Sequence, residues 1–237
     1  LAAGFAAAGF LAAAAFFAFA PLVDRETLVP AQSAWKYLDD GSDQVSAWRE
    51  VSFNDNTWPS GRAQLGYGDG DEATRIGYGA DANNKFVTTY FRLAFRVADP
   101  AAYADLTLSL LRDDGAVVYL NGQEVFRSNM PSGAIHCRTL ASGTVSGVDE
   151  NAFYPATLGT TSLVAGTNIL AVEVHQGNLT SSDVSFDLGL VGNRPPVQVS
   201  LDSPANGATG VSRDAPLGVS IPATHGEPLS VTFYGRP

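Results

Sequence analysis

From Leu28 onward the chain is written in short runs rich in Val, Phe, Tyr, Thr and Leu, separated by clusters of Gly, Asn and Asp. The interval is roughly 8 to 12 residues, which leaves no room for long helices and predicts antiparallel strands stacked as a sandwich. The candidate strands are "AWKYLD", "YFRLAFRV", "DLTLSLL", "AVVYL", "QEVFR", "NILAVEVHQ" and "VSFDLGLVG". In "YFRLAFRV", Phe91, Leu93 and Phe95 alternate with Arg92, Ala94 and Arg96. That alternation predicts a half-buried strand with one apolar face and one partly charged, solvated face. No segment after the first twenty residues has a capped amphipathic pattern. The 24 glycines and 13 prolines suit many tight turns, and charged residues are only 16% against the usual quarter or so.

The sharpest local signal is "LLRDDGAVVYLNGQEVFR". Asn121-Gly122 supplies the two positive-φ positions of a type I′ turn, so residues 116–120 should pair with 123–127. Asp113 and Asp114 stand just before this hairpin. Either they bond nearby backbone N–H groups and shape its entrance, or they bind a ligand; the turn chemistry favours the first. The carboxylates of "GDGDE", Asp69, Asp71 and Glu72, are interleaved with glycines that let the backbone offer carbonyl oxygens. Calcium takes about 6 to 8 oxygen ligands from such mixtures, so this is a calcium loop or a solvated acidic loop. Should it meet Asp113 and Asp114 at one edge of the sandwich, calcium becomes the favoured reading of both.

The formal charge is −10, which argues against a general attraction to phosphate backbones and hence against nucleic acid. The single cysteine, Cys137, rules out a disulfide framework and a cysteine-rich zinc site, and is expected to pack as a small buried apolar residue. The histidines, His136, His175 and His225, lie far apart in sequence. Only His175 has an evident partner: Glu173, two residues away, shares its strand face. That pair could bind a metal or move a proton, and its plainer reading is a surface pair at the end of a strand. Neither a Gly-x-Ser-x-Gly elbow nor an HExxH pair occurs.

The opening "LAAGFAAAGFLAAAAFFAFA" carries no charge and ends in Ala18-Phe19-Ala20, the small-x-small form of a cleavage site, so residues 1–27 read as an export leader built on an apolar helix. A retained membrane anchor through residues 1–20 is the alternative, since about 20 apolar residues span a bilayer. Either places the rest outside the cytoplasm, secreted or at the cell surface. At the other end "GNRPP" breaks the strand pattern. Beyond it "VQVSLDSP", "APLGVSI" and "LSVTFYG" read as the first strands of an immunoglobulin-like sandwich. Such domains need about seven strands and about 100 residues, so residues 195–237 are expected to be an incomplete one, following a sandwich over residues 28–194.

The set "WKYLDDGSD", "LGYGDGDEATRIGYG", "TYFRLAFRV", "LRDDGAVVYLNGQEVFRSNMPSG", "LVAGTNILAVEVHQ" and "DVSFDLGL" resembles the galactose-binding-like jelly-roll modules of secreted bacterial multidomain proteins, over about residues 33–192. The "DDGAVVYLNG" and "AGTNILAVEV" pair is also similar to strands of the non-catalytic sugar-binding domain of β-galactosidase-like hydrolases, and "DDG" before an apolar strand resembles PA14-like lectin modules locally. Downstream, "SLDSPANGATGVSRDAPLGVSI" is similar to the immunoglobulin-like module that often precedes a calcineurin-like metallophosphoesterase domain. The resemblance implies a non-catalytic accessory module of a larger hydrolase whose catalytic domain lies beyond residue 237 of the same chain. No metal-binding Asp/His/Asn motif of the phosphoesterase occurs in the 237 residues. The expected partner is a carbohydrate or cell-surface polymer; the alternative is a structural or adhesive spacer with no small ligand. A sugar ring packs its C–H face on an exposed aromatic. Tyr67 and Tyr78, flanked by glycines in a long acidic segment, are the expected platform, with Asp114 as a polar neighbour, while Trp35 and Trp48 are expected in the core.

Overall fold

The computed structural model describes residues 24–195, 200–203, 208–209 and 218–220. Residues 1–23 of the expected leader or anchor and most of the expected immunoglobulin-like strands, "LSVTFYG" among them, lie outside the described residues, as does His225, whereas residues 25–27, expected in the leader, belong to a strand of the sandwich, Arg25–Val29. Arg25–Pro195 forms one compact unit. In the other unit, Ser200–Ser203 pairs antiparallel with Gly218–Ser220.

Arg25–Pro195 is an all-β sandwich of two six-stranded sheets. One runs β10 (Phe153–Leu158), β7 (Asp105–Asp113), β12 (Val184–Asn193), β4 (Leu65–Tyr67), β5 (Thr74–Arg75), with β1 (Arg25–Val29) lying along the same edge of β12 as β4. The other runs β3 (Ser60–Arg62), β2 (Ala34–Leu38), β6 (Thr88–Val97), β11 (Gly166–His175), β8 (Gly115–Leu120), β9 (Gln123–Ser128). Every pairing in them is antiparallel except β4 with β5. Among the described residues the only helical pieces are three-residue 3-10 turns.

The inner faces meet in a core to which β7 gives Leu106, Leu108 and Leu110, β12 gives Phe186, Leu188 and Leu190, and β11 gives Leu170, Val172 and Val174. Each such side chain removed from water contributes about 1.5–3 kcal/mol. Trp35 meets Phe186 edge-on at 5.0 Å between ring centres, and Phe91 stacks on Phe186 at 4.2 Å. The second sheet is buried on its outer face too, where Trp48, Trp58, Tyr90, Val117, Tyr119, Ile169 and Ala171 form a second cluster. This explains why "AVVYL" and "NILAVEV" read as continuous apolar runs rather than alternating ones.

The outer cluster corrects one expectation. Arg92 does not face solvent: its Nε donates to Asp55 Oδ2 at 2.8 Å, and its guanidinium reaches the carbonyls of Trp48 and Glu50. Residues of the 46–58 segment therefore lie over the charged side of β6. Cys137 is half-buried rather than buried, packed against this cluster, and burial, then Asp43, push its thiol up. The hairpin forms as expected. Asn121 and Gly122 have φ of 52° and 85°, with a bulge between Val118 and Tyr119. Asn121 also ties the turn to the next strands, donating to Asn168 Oδ1 at 2.7 Å and accepting from Ile169 N at 2.8 Å.

Candidate functional site

Two registers build one end of the sandwich. Val184 pairs with Tyr67, and Ser185 pairs with Asp113. Asp183, just before β12, is thereby set beside the ends of both β4 and β7. Asp69, two residues past β4, accepts a hydrogen bond from Ser185 Oγ at 3.0 Å. Glu150, at the end of a 3-10 turn over Gly147–Asp149, completes a trio: one carboxylate oxygen from each of Asp69, Glu150 and Asp183 lies within 4.8 Å of the others. Asp69 is exposed and the other two are half-buried, so water reaches the trio.

Behind it lies Asp113. The residue is fully buried (0% exposed), and among the described residues no N–H or hydroxyl donates to either of its carboxyl oxygens, whose neighbours are the carboxyls of Asp114 and Asp183. Burial, then Asp114, then Asp183, drive its carboxyl well above the ordinary carboxylate range. Arg112 next door offers no relief, because neighbouring side chains on a strand point to opposite faces; its guanidinium sits 3.9 Å over the Tyr154 ring. None of Asp69, Asp113, Asp114, Glu150 and Asp183 makes an ion pair with a Lys or Arg among the described residues.

Asp114, its neighbour in sequence, is in the opposite situation. Oδ1 accepts from Val145 N and Oδ2 from Gly177 N, each at 2.6 Å. A Cβ on Gly177 would stand 3.0 Å from that Oδ2, so glycine lets the carboxylate approach. Asp114 thus bonds backbone N–H groups, but 31 and 63 residues away rather than locally in the hairpin. Its two oxygens are committed and so are those of Glu72, which accept from Asp69 N at 2.9 Å and Gly70 N at 3.1 Å. Of the residues expected to hold calcium, the structure brings Asp69 and Asp113 to one end, leaves Asp71 in a second grouping with Asp69 and Glu72, and uses Asp114 and Glu72 to fix loops. Glu150 and Asp183 were not legible as partners.

Tyr67 is not the exposed platform expected. It is 3% exposed; Gln176 Nε2 donates to its hydroxyl, its ring centre lies 4.9 Å from that of Tyr78, and burial pushes its hydroxyl far up. Lys85 Nζ sits 5.3 Å and 5.1 Å from the two ring centres and donates to Ser181 O, a cation–π arrangement that occupies these rings from within. Tyr78 is half-buried. Nearby opens a cleft of about 540 Å³, lined by Ser42, Asn84, Phe86, Arg138, Leu140 and Leu179 among others, with Thr88 and Cys137 also contributing.

Glu173 and His175 are not a surface pair. They are 2% and 0% exposed on the covered face of β11. Glu173 Oε1 accepts from Tyr119 Oη at 2.6 Å and Arg49 Nη2 at 3.3 Å, and Oε2 lies 3.5 Å from His175 Nε2. His175 Nδ1 lies 2.7 Å from Thr139 O and 2.9 Å from Thr88 Oγ1. Since a carbonyl can only accept, Nδ1 carries the proton there. Burial alone would raise the Glu173 carboxyl; His175, Tyr119 and Arg49 outweigh it and hold it below its ordinary value.

No protein-family model and no curated protein matches the chain. Among solved structures it is similar to β-glucuronidase 2 of Bacteroides uniformis bound to a cyclophellitol-6-carboxylate aziridine, with 15% identity and a TM-score of 0.47, over 76% of this chain and 20% of that one. It is also similar to a β-glucuronidase of glycoside hydrolase family 2, at 16% identity and TM-score 0.45, over 79% and 19%. A third is the apo β-glucuronidase of Ruminococcus gnavus, at 13% and 0.46, over 88% and 35%. The chain spans about a fifth to a third of the length of these enzymes, and the activity in their names is theirs.

Proposed function

We propose that the Arg25–Pro195 sandwich is a non-catalytic accessory module of a larger exported hydrolase, and that it holds a carbohydrate or cell-surface polymer in the cleft beside Phe86. The cleft's chemistry carries this reading. Asn84 and Arg138 offer an amide and a guanidinium beside the apolar side chains of Phe86, Leu140 and Leu179. A sugar presents the complement of this mixed surface, with hydroxyls at its rim and C–H groups on its face. The likeness of residues 195–237 to the module that precedes calcineurin-like metallophosphoesterase domains makes phosphate-ester hydrolysis our choice for the parent reaction, and the apolar first twenty residues support a parent outside the cytoplasm.

Binding of the purified chain to a panel of glycans and bacterial surface polymers tests this. We expect saturable binding to at least one polymer, weakened about tenfold by Asn84→Ala and by Arg138→Ala, the loss of about one good hydrogen bond each. A second reading is favoured by the internal commitment of Tyr67 and Asp114: a structural spacer without a small ligand. A panel that stays silent, with calcium present, selects the spacer.

A further inference from the structure

We propose that Asp69, Glu150 and Asp183 bind one calcium ion at the end of the sandwich where β4, β7 and β12 meet, with the buried carboxylate of Asp113 behind them. The site is distinct from the cleft beside Phe86 and stands whether or not a sugar binds there.

Distance comes first. Calcium–oxygen bonds are about 2.3–2.6 Å long, so oxygens sharing one ion are at most about 5.2 Å apart. The three carboxylate oxygens lie within 4.8 Å of one another, which one ion spans. Acidic residues gather on many surfaces without a cation, and the trio alone would mean little. The deciding observation is Asp113: fully buried, set against the carboxyls of Asp114 and Asp183, and with no N–H or hydroxyl donor to either oxygen among the described residues. Buried polar groups are almost always satisfied, and a sandwich that ties both oxygens of Asp114 to backbone N–H groups had the means to satisfy Asp113 as well. A cation held by Asp183 supplies the missing positive charge next to it.

The donor set selects the metal. Every ligand atom is a carboxylate oxygen, with no imidazole or thiolate in the group, so a hard cation is indicated over zinc or copper. The trio sits on three separate loops and leaves room for water, which suits calcium's variable 6–8 coordination better than the strict octahedron of magnesium. Asp71 and Glu72 are outside the proposed set: Glu72 is occupied by Asp69 N and Gly70 N.

Calcium chloride titrated calorimetrically into the chelator-stripped 237-residue chain, with thermal melts in parallel, tests the site. We expect one calcium per chain, with a Kd of about 1 mM or tighter as in extracellular calcium modules, and a Tm that climbs with calcium concentration. Asp183→Asn and Glu150→Gln should each weaken binding about tenfold or more, whereas Asp71→Asn should leave it within about threefold. In chelator, Asp183→Asn should melt no lower than the parent, because it removes one of several like charges; should it fail to fold, Glu150→Gln decides alone. No saturable heat and no shift in Tm up to about 10 mM, well above the weakest such modules, would overturn the proposal. So would equal responses to magnesium and calcium, or a loss of binding in Asp71→Asn that Glu150→Gln does not share.

Discussion

Two acids are sealed inside this sandwich, Glu173 on the covered face of β11 and Asp113 at the end of β7, and they have opposite surroundings. Glu173 has a phenol at 2.6 Å, a guanidinium at 3.3 Å and an imidazole at 3.5 Å, and its carboxyl is held low. Asp113 has two other carboxylates and no donor, and its carboxyl is driven high. Both are equally remote from water, so burial cannot be what separates them. The difference is that the chain itself provides the counter-charges in one place and not in the other. A completed buried ion network is a structural device; an acidic one that the chain leaves incomplete has its complement elsewhere.

The largest effect should come from breaking the completed network. Glu173→Ala leaves the Arg49 guanidinium and the Tyr119 hydroxyl without their shared acceptor, Oε1, and removing one partner of a buried ion pair costs about 3–5 kcal/mol. Urea unfolding at neutral pH measures it, and a cost below about 1 kcal/mol would break the comparison. The sign of the pH dependence follows from the direction of the shift. A carboxyl whose folded pKa lies below its unfolded value contributes stability that is present above the ordinary Glu value of 4.5 and is lost as pH falls through the folded value. Glu173→Gln should therefore flatten part of the acid limb of a stability profile below about pH 4.5.

Which of these features the sequence discloses depends on whether their cause is local. The seven strands expected from hydrophobic runs all form, because each is long enough to carry its own period, and the Asn121-Gly122 hairpin forms because its turn chemistry is contained in two residues. β3, β4 and β5 lie in a glycine-rich, acidic stretch over residues 54–84 that reads as irregular, and at 3, 3 and 2 residues they are too short to show a period of their own. β10 was hidden by Pro155, which reads against a strand but is tolerated on the sheet edge where β10 lies. β1 is mostly polar and exposed in its first residues, so no apolar run announces it. The acidic end was half legible. "DDG" and "GDGDE" drew attention to Asp113 and Asp69, but Asp183 and Glu150 reach them only through the register of β12 against β4 and β7 and through a turn 37 residues from Asp113. Arg92 shows the converse: alternation sends it outward correctly, and only tertiary structure covers it with the segment from Trp48 to Asp55.

The adjacent pair Asp113 and Asp114 turns the same contrast into two mutants one residue apart. Asp114 is the completed member. Asp114→Ala takes the acceptor from the half-buried N–H groups of Val145 and Gly177, and losing charge-assisted bonds of this kind should cost about 1.5–3 kcal/mol. Hydrogen exchange at those two amides should accelerate more than at amides of the β8–β9 hairpin. Unchanged protection at Gly177 would mean that the 2.6 Å contact does not hold the end of β11 in place.

The smallest effect, and the one that divides the two regions most cleanly, has the other sign. Asp113→Asn keeps the shape of the side chain, replaces a carboxyl whose ionisation burial, Asp114 and Asp183 oppose, and gives the buried group two N–H donors at every pH. The amide avoids the cost of taking up a proton on folding, which a carboxyl pushed up to about 9 carries at neutral pH. In chelator at neutral pH the variant should be more stable by about 0.5–1 kcal/mol, a rise of roughly 1–4 °C in Tm for a domain of this size. The same isosteric change at Glu173 should lower Tm, since there the charge has three partners. In calcium the advantage of Asp113→Asn should shrink or reverse, because the cation that it no longer helps to hold would have stabilised the parent. A variant less stable than the parent under chelating conditions would mean that Asp113 is already satisfied by the fold, and the distinction between its end of the sandwich and that of Glu173 would disappear.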